Sequence, residues 1–300
     1  MSQVAQTDCL RAEAEHYRRG RDTVHATAGS TYWMLNDNWP TASWASLEYG
    51  GRPKLLHYAA ADFNAAVAVS SYCTPSITAC TGVVVHIGSD LLKPISGAVL
   101  QVRLVRWSDG VATPSRTEAV SVPAQHGATF TYNSTAFAKM LAHAGCASVA
   151  DCFVAFDLLA PTAVGPEAGG AAVGDASGTA IAPTGYQWLT LWKDAVVPAA
   201  TLTLTAAPAV GGGNAVEVTV TSDAVAPQAM VHCGEPSDFG SFDVNGVTLL
   251  PRVPFKFVYT PRAFAPAGKH TPCTAAASFY VVGMNTAVNV GMDPTGTVQG

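Results

Sequence analysis

Residues 29–63 read GSTYWMLNDNWPTASWASLEYGGRPKLLHYAAADF. Trp33, Trp39 and Trp44 fall within twelve residues of one another. Indole rings are costly to leave in water, so this stretch packs against something or binds something flat and apolar. Aromatic faces next to Asn36 and Asp37 suit a sugar ring, with its C–H faces on the indoles and its hydroxyls on the polar groups. Composition alone fits an ordinary core equally well. Residues 30–35 are an apolar run expected to form a buried strand. Residues 36–40 break it, since Asn and Asp tolerate tight turns and Pro40 cannot continue a ladder. Residues 54–63 are expected to be helical, with Leu55, Leu56, Tyr58, Ala59 and Phe63 on an apolar face. Upstream, residues 1–20 are a second expected helix, with Leu10, Ala14 and Tyr17 at i, i+4, i+7 and Gly20 at its stop. Helix, strand, loop and helix over sixty residues is an α/β pattern.

The pattern changes after Asn64. Residues 67–71, 83–87, 99–107, 128–132 and 152–158 are short apolar or alternating runs, with a tight turn expected at Asp109-Gly110. Residues 134–143 form one expected helix, and the Ala, Gly and Pro of 160–183 are read as a flexible insertion. A second β series follows at 201–206, 215–222, 229–233, 255–259 and 278–282, with Asn245-Gly246 as a hairpin signal. Two such series suggest two immunoglobulin-like β-sandwiches. The expected domains are 1–63, 64–196 with the insertion at 160–183, and 197–300.

The 300 residues are 49% hydrophobic and 12% charged, with a net charge of −5. The low charge and high apolar fraction exclude a disordered chain, and the negative balance argues against a nucleic-acid partner. No run is long and apolar enough for a membrane-spanning helix. Residues 1–20 carry Asp8, Arg11, Glu13, Glu15, Arg18 and Arg19, which is not the pattern of a signal peptide. Seven cysteines are an odd set. Cys73–Cys80, Cys146–Cys152 and Cys233–Cys273 are possible pairs with Cys9 left over, and free buried thiols are the alternative. The glycosylation triplet Asn133-Ser134-Thr135 favours disulfides, and the two features together point to a lysosomal or secretory compartment. No C-x-x-C and no cysteine–histidine cluster at zinc spacing occurs, so no metal is expected. No G-x-S-x-G or G-x-G-x-x-G occurs, and no cofactor is implied. His16, His57, His86, His126, His143 and His232 show no partner pattern.

The run Tyr32, Trp33, Leu35, Asn36, Asp37, Trp39, then Ser43-Trp44, Glu48-Tyr49-Gly50-Gly51 and Leu56-His57-Tyr58, resembles glycoside hydrolase family 2 in its β-mannosidase branch. In that family such a run follows the last barrel strand. Residues 43–51 most resemble the animal lysosomal form, and residues 14–19 resemble the helix before that strand. The likeness covers residues 4–64. Beyond them it continues only as an all-β pattern with scattered residues such as Tyr186, Trp188 and Asp194. The resemblance implies a mainly β chain: two immunoglobulin-like β-sandwich domains preceded by the last helix–strand–helix of a truncated TIM (β/α)8 barrel. It implies a retaining exo-glycosidase removing terminal β-linked mannose from oligosaccharides, with a β-mannoside oligosaccharide as partner. Such chemistry needs two carboxyl groups about 5–5.5 Å apart. In the family these are two glutamates on the fourth and seventh barrel strands, and both would fall before residue 1. The chain is therefore read as a C-terminal portion, without its N-terminal barrel and sandwich domains, carrying no catalytic residue of its own.

Trp33, carried over from the resemblance, is expected to form the floor of the sugar subsite. Asn36, Asp37 and Trp39 follow on the loop at the barrel's C-terminal face, where such enzymes keep their sites. A structural role competes for these three: Asn36 and Asp37 holding the turn, Trp39 together with Trp44 packing the barrel on the next domain. Leu47-Glu48-Tyr49-Gly50 imitates a nucleophile site, but the resemblance puts Glu48 after the last barrel strand, as a packing or surface residue. Two other readings remain: a non-catalytic immunoglobulin-like carbohydrate-binding or interaction module, and another family 2 specificity such as an exo-glucosaminidase.

Overall fold

A computed structural model describes residues 2–160, 178–211, 213–263 and 270–286. They make two compact units: residues 11–31 with 61–197, and residues 2–10 with 32–60 and 198 onward. Helices α1 (Ser2–Arg19) and α2 (Leu55–Phe63) each contribute to both. Among the described residues no helix is long and apolar enough to cross a membrane.

The first unit is a two-sheet antiparallel sandwich. Its strands are β1 (Val67–Thr74), β2 (Gly82–Ser89), β3 (Ile95–Arg106), β4 (Ala112–Val122), β5 (Gly127–Tyr132), β6 (Cys152–Leu159) and β7 (Gly185–Trp188). The sheets run β1-β2-β5 and β4-β3-β6-β7. This three-plus-four split belongs to immunoglobulin-like sandwiches, with the fourth strand paired to the third. Val67, Val83, Val85 and Ile87 from one sheet meet Leu100, Val102, Leu104, Val154, Phe156 and Leu158 from the other in a single core. Strand β6, CFVAFDLL, is buried throughout, which explains why it reads as a continuous apolar run. Its other face carries Phe153, 4.3 Å from Trp107 and 5.4 Å from Trp188, with Trp192 4.7 Å from Trp188.

Helix α3 (Ser134–Ala144) turns Phe137, Met140 and Ala144 into this core and stops at Gly145, whose φ of +72° suits glycine. Residues 11–31 are tied to the same unit. Arg18 donates to the Phe63 carbonyl at 2.8 Å and to Asp90 at 3.0 Å, while Asp22 accepts from the Gly127 amide at 2.6 Å. Cys73–Cys80 and Cys146–Cys152 are bonded here.

The second unit repeats the plan with β8 (Leu202–Pro208), β9 (Val216–Ser222), β10 (Ala226–Cys233), β11 (Ser241–Phe242), β12 (Val247–Leu249), β13 (Phe255–Thr260) and β14 (Phe279–Val282). Its sheets are β12-β10-β14 and β11-β13-β9-β8. Leu202, Val218, Val220, Val231, Phe257, Tyr259, Phe279 and Val281 fill its core, and Cys233 is bonded to Cys273. Cys9 is a free, exposed thiol.

Four expectations need correction. Residues 30–35 form no strand: Trp33 and Leu35 are exposed, and residues 34–37 reach only a local bridge, Asn36 to Leu47. An apolar run becomes a strand only where a ladder partner lies alongside, and residues 46–47 offer two rungs. Asn245-Gly246 closes no hairpin, because β11 pairs with β13 and β12 with β10, so the turn carries the chain between sheets. Residues 178–183 are not loose: the Ala160 amide bonds the Thr179 carbonyl at 2.8 Å, the Ile181 amide bonds that of Leu158 at 2.9 Å, and Ala180 and Ala182 are buried. The rest of that stretch, 161–177, lies outside the described residues. Tyr17 is exposed, its hydroxyl bonded to Glu13 at 3.0 Å, so only Ala14 of the expected apolar trio is fully buried.

Candidate functional site

Residues 32–60 belong to the second unit and carry the indoles. Trp33 is 75% exposed, Trp39 61% and Trp44 63%. Three large rings this open within twelve residues exceed the singly scattered apolar side chains of an ordinary surface. The backbone beneath them is anchored. The Ser46 amide donates to the Met34 carbonyl at 3.1 Å, Leu47 to Leu35 at 2.8 Å, and Asp37 to Leu47 at 3.1 Å. The Ser46 hydroxyl bonds the Leu35 carbonyl at 2.9 Å and the Tyr32 hydroxyl at 3.1 Å. Gln6 of α1 donates to the Trp44 carbonyl at 2.6 Å. The Trp33–Met34 peptide is cis.

Asp37 lies at the centre of the loop and is buried. One carboxylate oxygen accepts from the Ser43 hydroxyl, and the other faces the Lys54 ammonium at 3.2 Å. Lys54 also donates to the Ser43 carbonyl at 3.4 Å. The Ser43 hydrogen bond first, and then the Lys54 bond and charge, hold the Asp37 carboxyl below the usual carboxylate range against its own desolvation. Asp37 is thus a brace, saturated by its neighbours. Asn36 turns its amide to the Asp37 carbonyl at 3.2 Å, again within the turn.

Residues 48–54 are fastened to the sandwich beneath. Arg52 donates to the Asp238 carbonyl at 3.0 Å, and its guanidinium lies 4.7 Å from the Phe239 ring centre. Glu48 Oε2 sits 3.6 Å from Arg52 Nη1 and is engaged in this surface pair. Arg262 reaches the Gly50 carbonyl at 2.8 Å. Helix α2 begins with the Leu55 amide donating to Gln3 Oε1 at 3.0 Å, and the Tyr58 hydroxyl accepts from the Phe242 amide at 3.2 Å. Gly246, at φ +70°, is required where it stands, since a Cβ would come 2.2 Å from Leu55 Cδ1.

The sequence-predicted set thus divides. Trp33 and Trp39 are presented to solvent, whereas Asn36 and Asp37 build the turn that presents them. Lys54, Ser43 and Gln6 were missed. One signal pointed to Lys54: a cation immediately before a helix N-terminus opposes the helix dipole and needs a carboxylate nearby. Of the histidines, His86 is buried against Thr129 at 3.0 Å and His232 stacks on Tyr280 at 4.8 Å, both in packing roles. Cys233, Asp238 and Cys273 place ligand-type atoms within 4.8 Å of one another. Both sulfurs are committed to a disulfide, and Asp238 accepts from the Gly240, Arg262 and Cys273 amides at 3.1, 2.8 and 2.8 Å.

No family model matches the chain. Over 112 residues it is 41% identical to the beta-mannosidase of Rattus norvegicus, covering 36% of this chain and 12% of that protein. Over 98 residues it is 39% identical to beta-mannosidase A of Aspergillus terreus, covering 33% of this chain and 10% of that one. The matches therefore span about a tenth of the length of these curated relatives. Among solved structures, the β-D-mannosidase of Dictyoglomus thermophilum superposes with a TM-score of 0.64 at 14% identity, over 95% of this chain and 29% of that one. The exo-chitosanase of Amycolatopsis orientalis superposes with a TM-score of 0.60 at 19% identity, over 95% and 33%. In sequence and in fold, the chain resembles the C-terminal portion of the β-mannosidases of glycoside hydrolase family 2.

Proposed function

We propose that this chain supplies the C-terminal part of a retaining β-mannosidase that removes terminal β-D-mannose from oligosaccharides. On this reading residues 1–63 come from the end of a (β/α)8 barrel, the run 30–35 lacking a ladder here because its neighbouring barrel strands lie outside these 300 residues, as do the two catalytic glutamates, and residues 64–196 and 197–300 are the two sandwiches that follow it. Trp33 contacts the sugar, and Trp39 extends the contact surface on the loop that Asn36 and Asp37 shape. One observation carries the reading: three indoles stand in water on a loop fixed from below by the buried Asp37–Lys54 pair. A loop with no task would not be braced, and rings held open on a braced loop are placed to meet a sugar or the remainder of the barrel. The names of the curated relatives favour mannose over glucosamine. Three disulfides favour a lysosomal or secretory compartment.

The test is hydrolysis of an aryl β-mannoside. The 300 residues alone are expected to give no turnover. Joined to barrel sequence carrying both glutamates, they give turnover that Trp33→Ala lowers roughly tenfold or more in kcat/KM without lowering the melting temperature. Hydrolysis by the 300 residues alone, abolished by Glu48→Gln, would sink the proposal. Saturable quenching of the indoles by a mannose oligosaccharide, with no turnover in the joined form, would instead make the chain a carbohydrate-binding module.

A further inference from the structure

The triplet Asn133-Ser134-Thr135 is the single N-x-S/T sequence in the chain, and the site described above makes no use of it. It lies where β5 hands over to α3. All three residues are exposed, while the buried side of the helix is carried by Phe137, Met140 and Ala144. Asn133 is the N-cap: its Oδ1 accepts from the Ala136 amide at 3.0 Å, and its own carbonyl accepts from the Phe137 amide at 2.8 Å. Its Nδ2 has no hydrogen bond among the described residues. The side chain therefore divides its labour by atom, with the oxygen holding the helix and the nitrogen free in solvent. The same unit holds two disulfides, the mark of an oxidising secretory route.

We propose that Asn133 carries an N-linked glycan. The donor class is an oligosaccharide joined through a pyrophosphate to a lipid. The Nδ2–C1 bond forms as the bond from C1 to the pyrophosphate oxygen breaks, Nδ2 gives up one proton, and the lipid pyrophosphate leaves with the electron pair. No oxidation or reduction is involved. The product amide keeps Oδ1, so the cap to Ala136 survives modification, and the glycan projects from the sandwich without displacing the core residues of α3. This inference is independent of the mannosidase reading, since it depends on the route the chain takes and not on what it cleaves.

The experiment secretes the full chain behind a cleavable leader from a eukaryotic culture and treats it with a peptide N-glycanase. Expected is one mobility step on treatment, with aspartate at position 133 in the treated peptide. Asn133→Asp, which keeps a capping oxygen, and Thr135→Ala, which keeps Asn133 itself, should both remove the step. Their melting temperatures should match the deglycosylated parent, showing that the fold is intact. Unmodified Asn133 in the secreted, disulfide-bonded chain overturns the proposal, as does a mobility step that persists in Asn133→Asp.

Discussion

Lys54 Nζ lies 3.2 Å from a carboxylate oxygen of Asp37, seventeen residues earlier in the chain, and both side chains are buried. This pair closes the loop that carries Trp39 and Trp44, with Ser43 bridging the two. A buried ion pair is costly to break from one side, because the remaining charge stays in a poor solvent for it.

Lys54→Met is therefore expected to do more harm than Lys54→Met combined with Asp37→Leu. The single change should lower the melting temperature by several degrees and make the indoles of Trp39 and Trp44 more accessible to acrylamide. The double change should recover most of the stability. Equal melting temperatures for the single variant and the parent would show that the loop stands without its brace.

Glu15 of α1, its side chain 15% exposed, lies within 3.8 Å of both Arg11 and Arg19, yet desolvation outweighs their attraction and lifts its carboxyl from 4.5 to about 7. A carboxyl whose folded pKa is raised contributes fully below its unfolded value and loses that contribution as pH climbs to the folded one. The window is therefore about pH 4.5 to 7, with about 3 kcal/mol at stake. His86 acts in the opposite sense: burial, reinforced by Arg19, lowers it to about 4, so its contribution is lost as pH falls from 6.5. Urea unfolding at pH 5 and pH 8 should show Glu15→Gln relatively more stable than the parent at pH 8 and less so at pH 5. Parallel pH profiles for the two proteins would rule this out.

The Asn245 side chain replaces a rung of the β10–β12 ladder. Its Oδ1 accepts from the Val231 amide and its Nδ2 donates to the Val231 carbonyl, both at 2.8 Å and both buried. The strands pair at Ala229 and Val247, so position 245 is where the next rung opposite Val231 falls. Asn245→Ala leaves an amide and a carbonyl unmet and should cost about 1–3 kcal/mol in denaturant unfolding. A loss within experimental error would mean that water fills the gap.

That pair of hydrogen bonds also marks where sequence reading succeeds and where it stops. Strands buried on one or both faces, such as β2, β6 and β9, declare themselves by apolar runs or alternation. Strand β4, ATPSRTEAVSV, does not, since it is an edge with one face in water and tolerates Pro114, Arg116 and Glu118. Strand β11 is two residues long and has no period to detect. Asn245-Gly246 looks like a hairpin because the dipeptide reports a positive φ at Gly246, not which strands meet across it. Within the candidate site the aromatic residues were legible, because indoles stand out in any sequence. The Asp37–Lys54 brace was legible only at its cation, set at a helix N-terminus, because an ion pair across seventeen residues leaves no periodic trace that would name its partner.

The three disulfides should differ in worth according to the chain each one closes. Cys73–Cys80 and Cys146–Cys152 span 7 and 6 residues, and Cys233–Cys273 spans 40. Loop-closure entropy in the unfolded chain grows with the logarithm of that span, giving about 2 kcal/mol for each short bridge and about 4 kcal/mol for the long one. The long bridge also holds the ends of a segment organised around Asp238, whose carboxylate gathers the Gly240, Arg262 and Cys273 amides. Replacing Cys233 and Cys273 together by Ser should therefore cost most. The loss should be read from unfolding of the 198–286 sandwich, followed through exchange of its core amides at Val218 and Phe257. Pairwise Ser variants of the short bridges should cost about half as much and leave those amides protected. Equal losses from all three pairs would show that native packing around each sulfur, rather than the length of chain enclosed, sets the contribution.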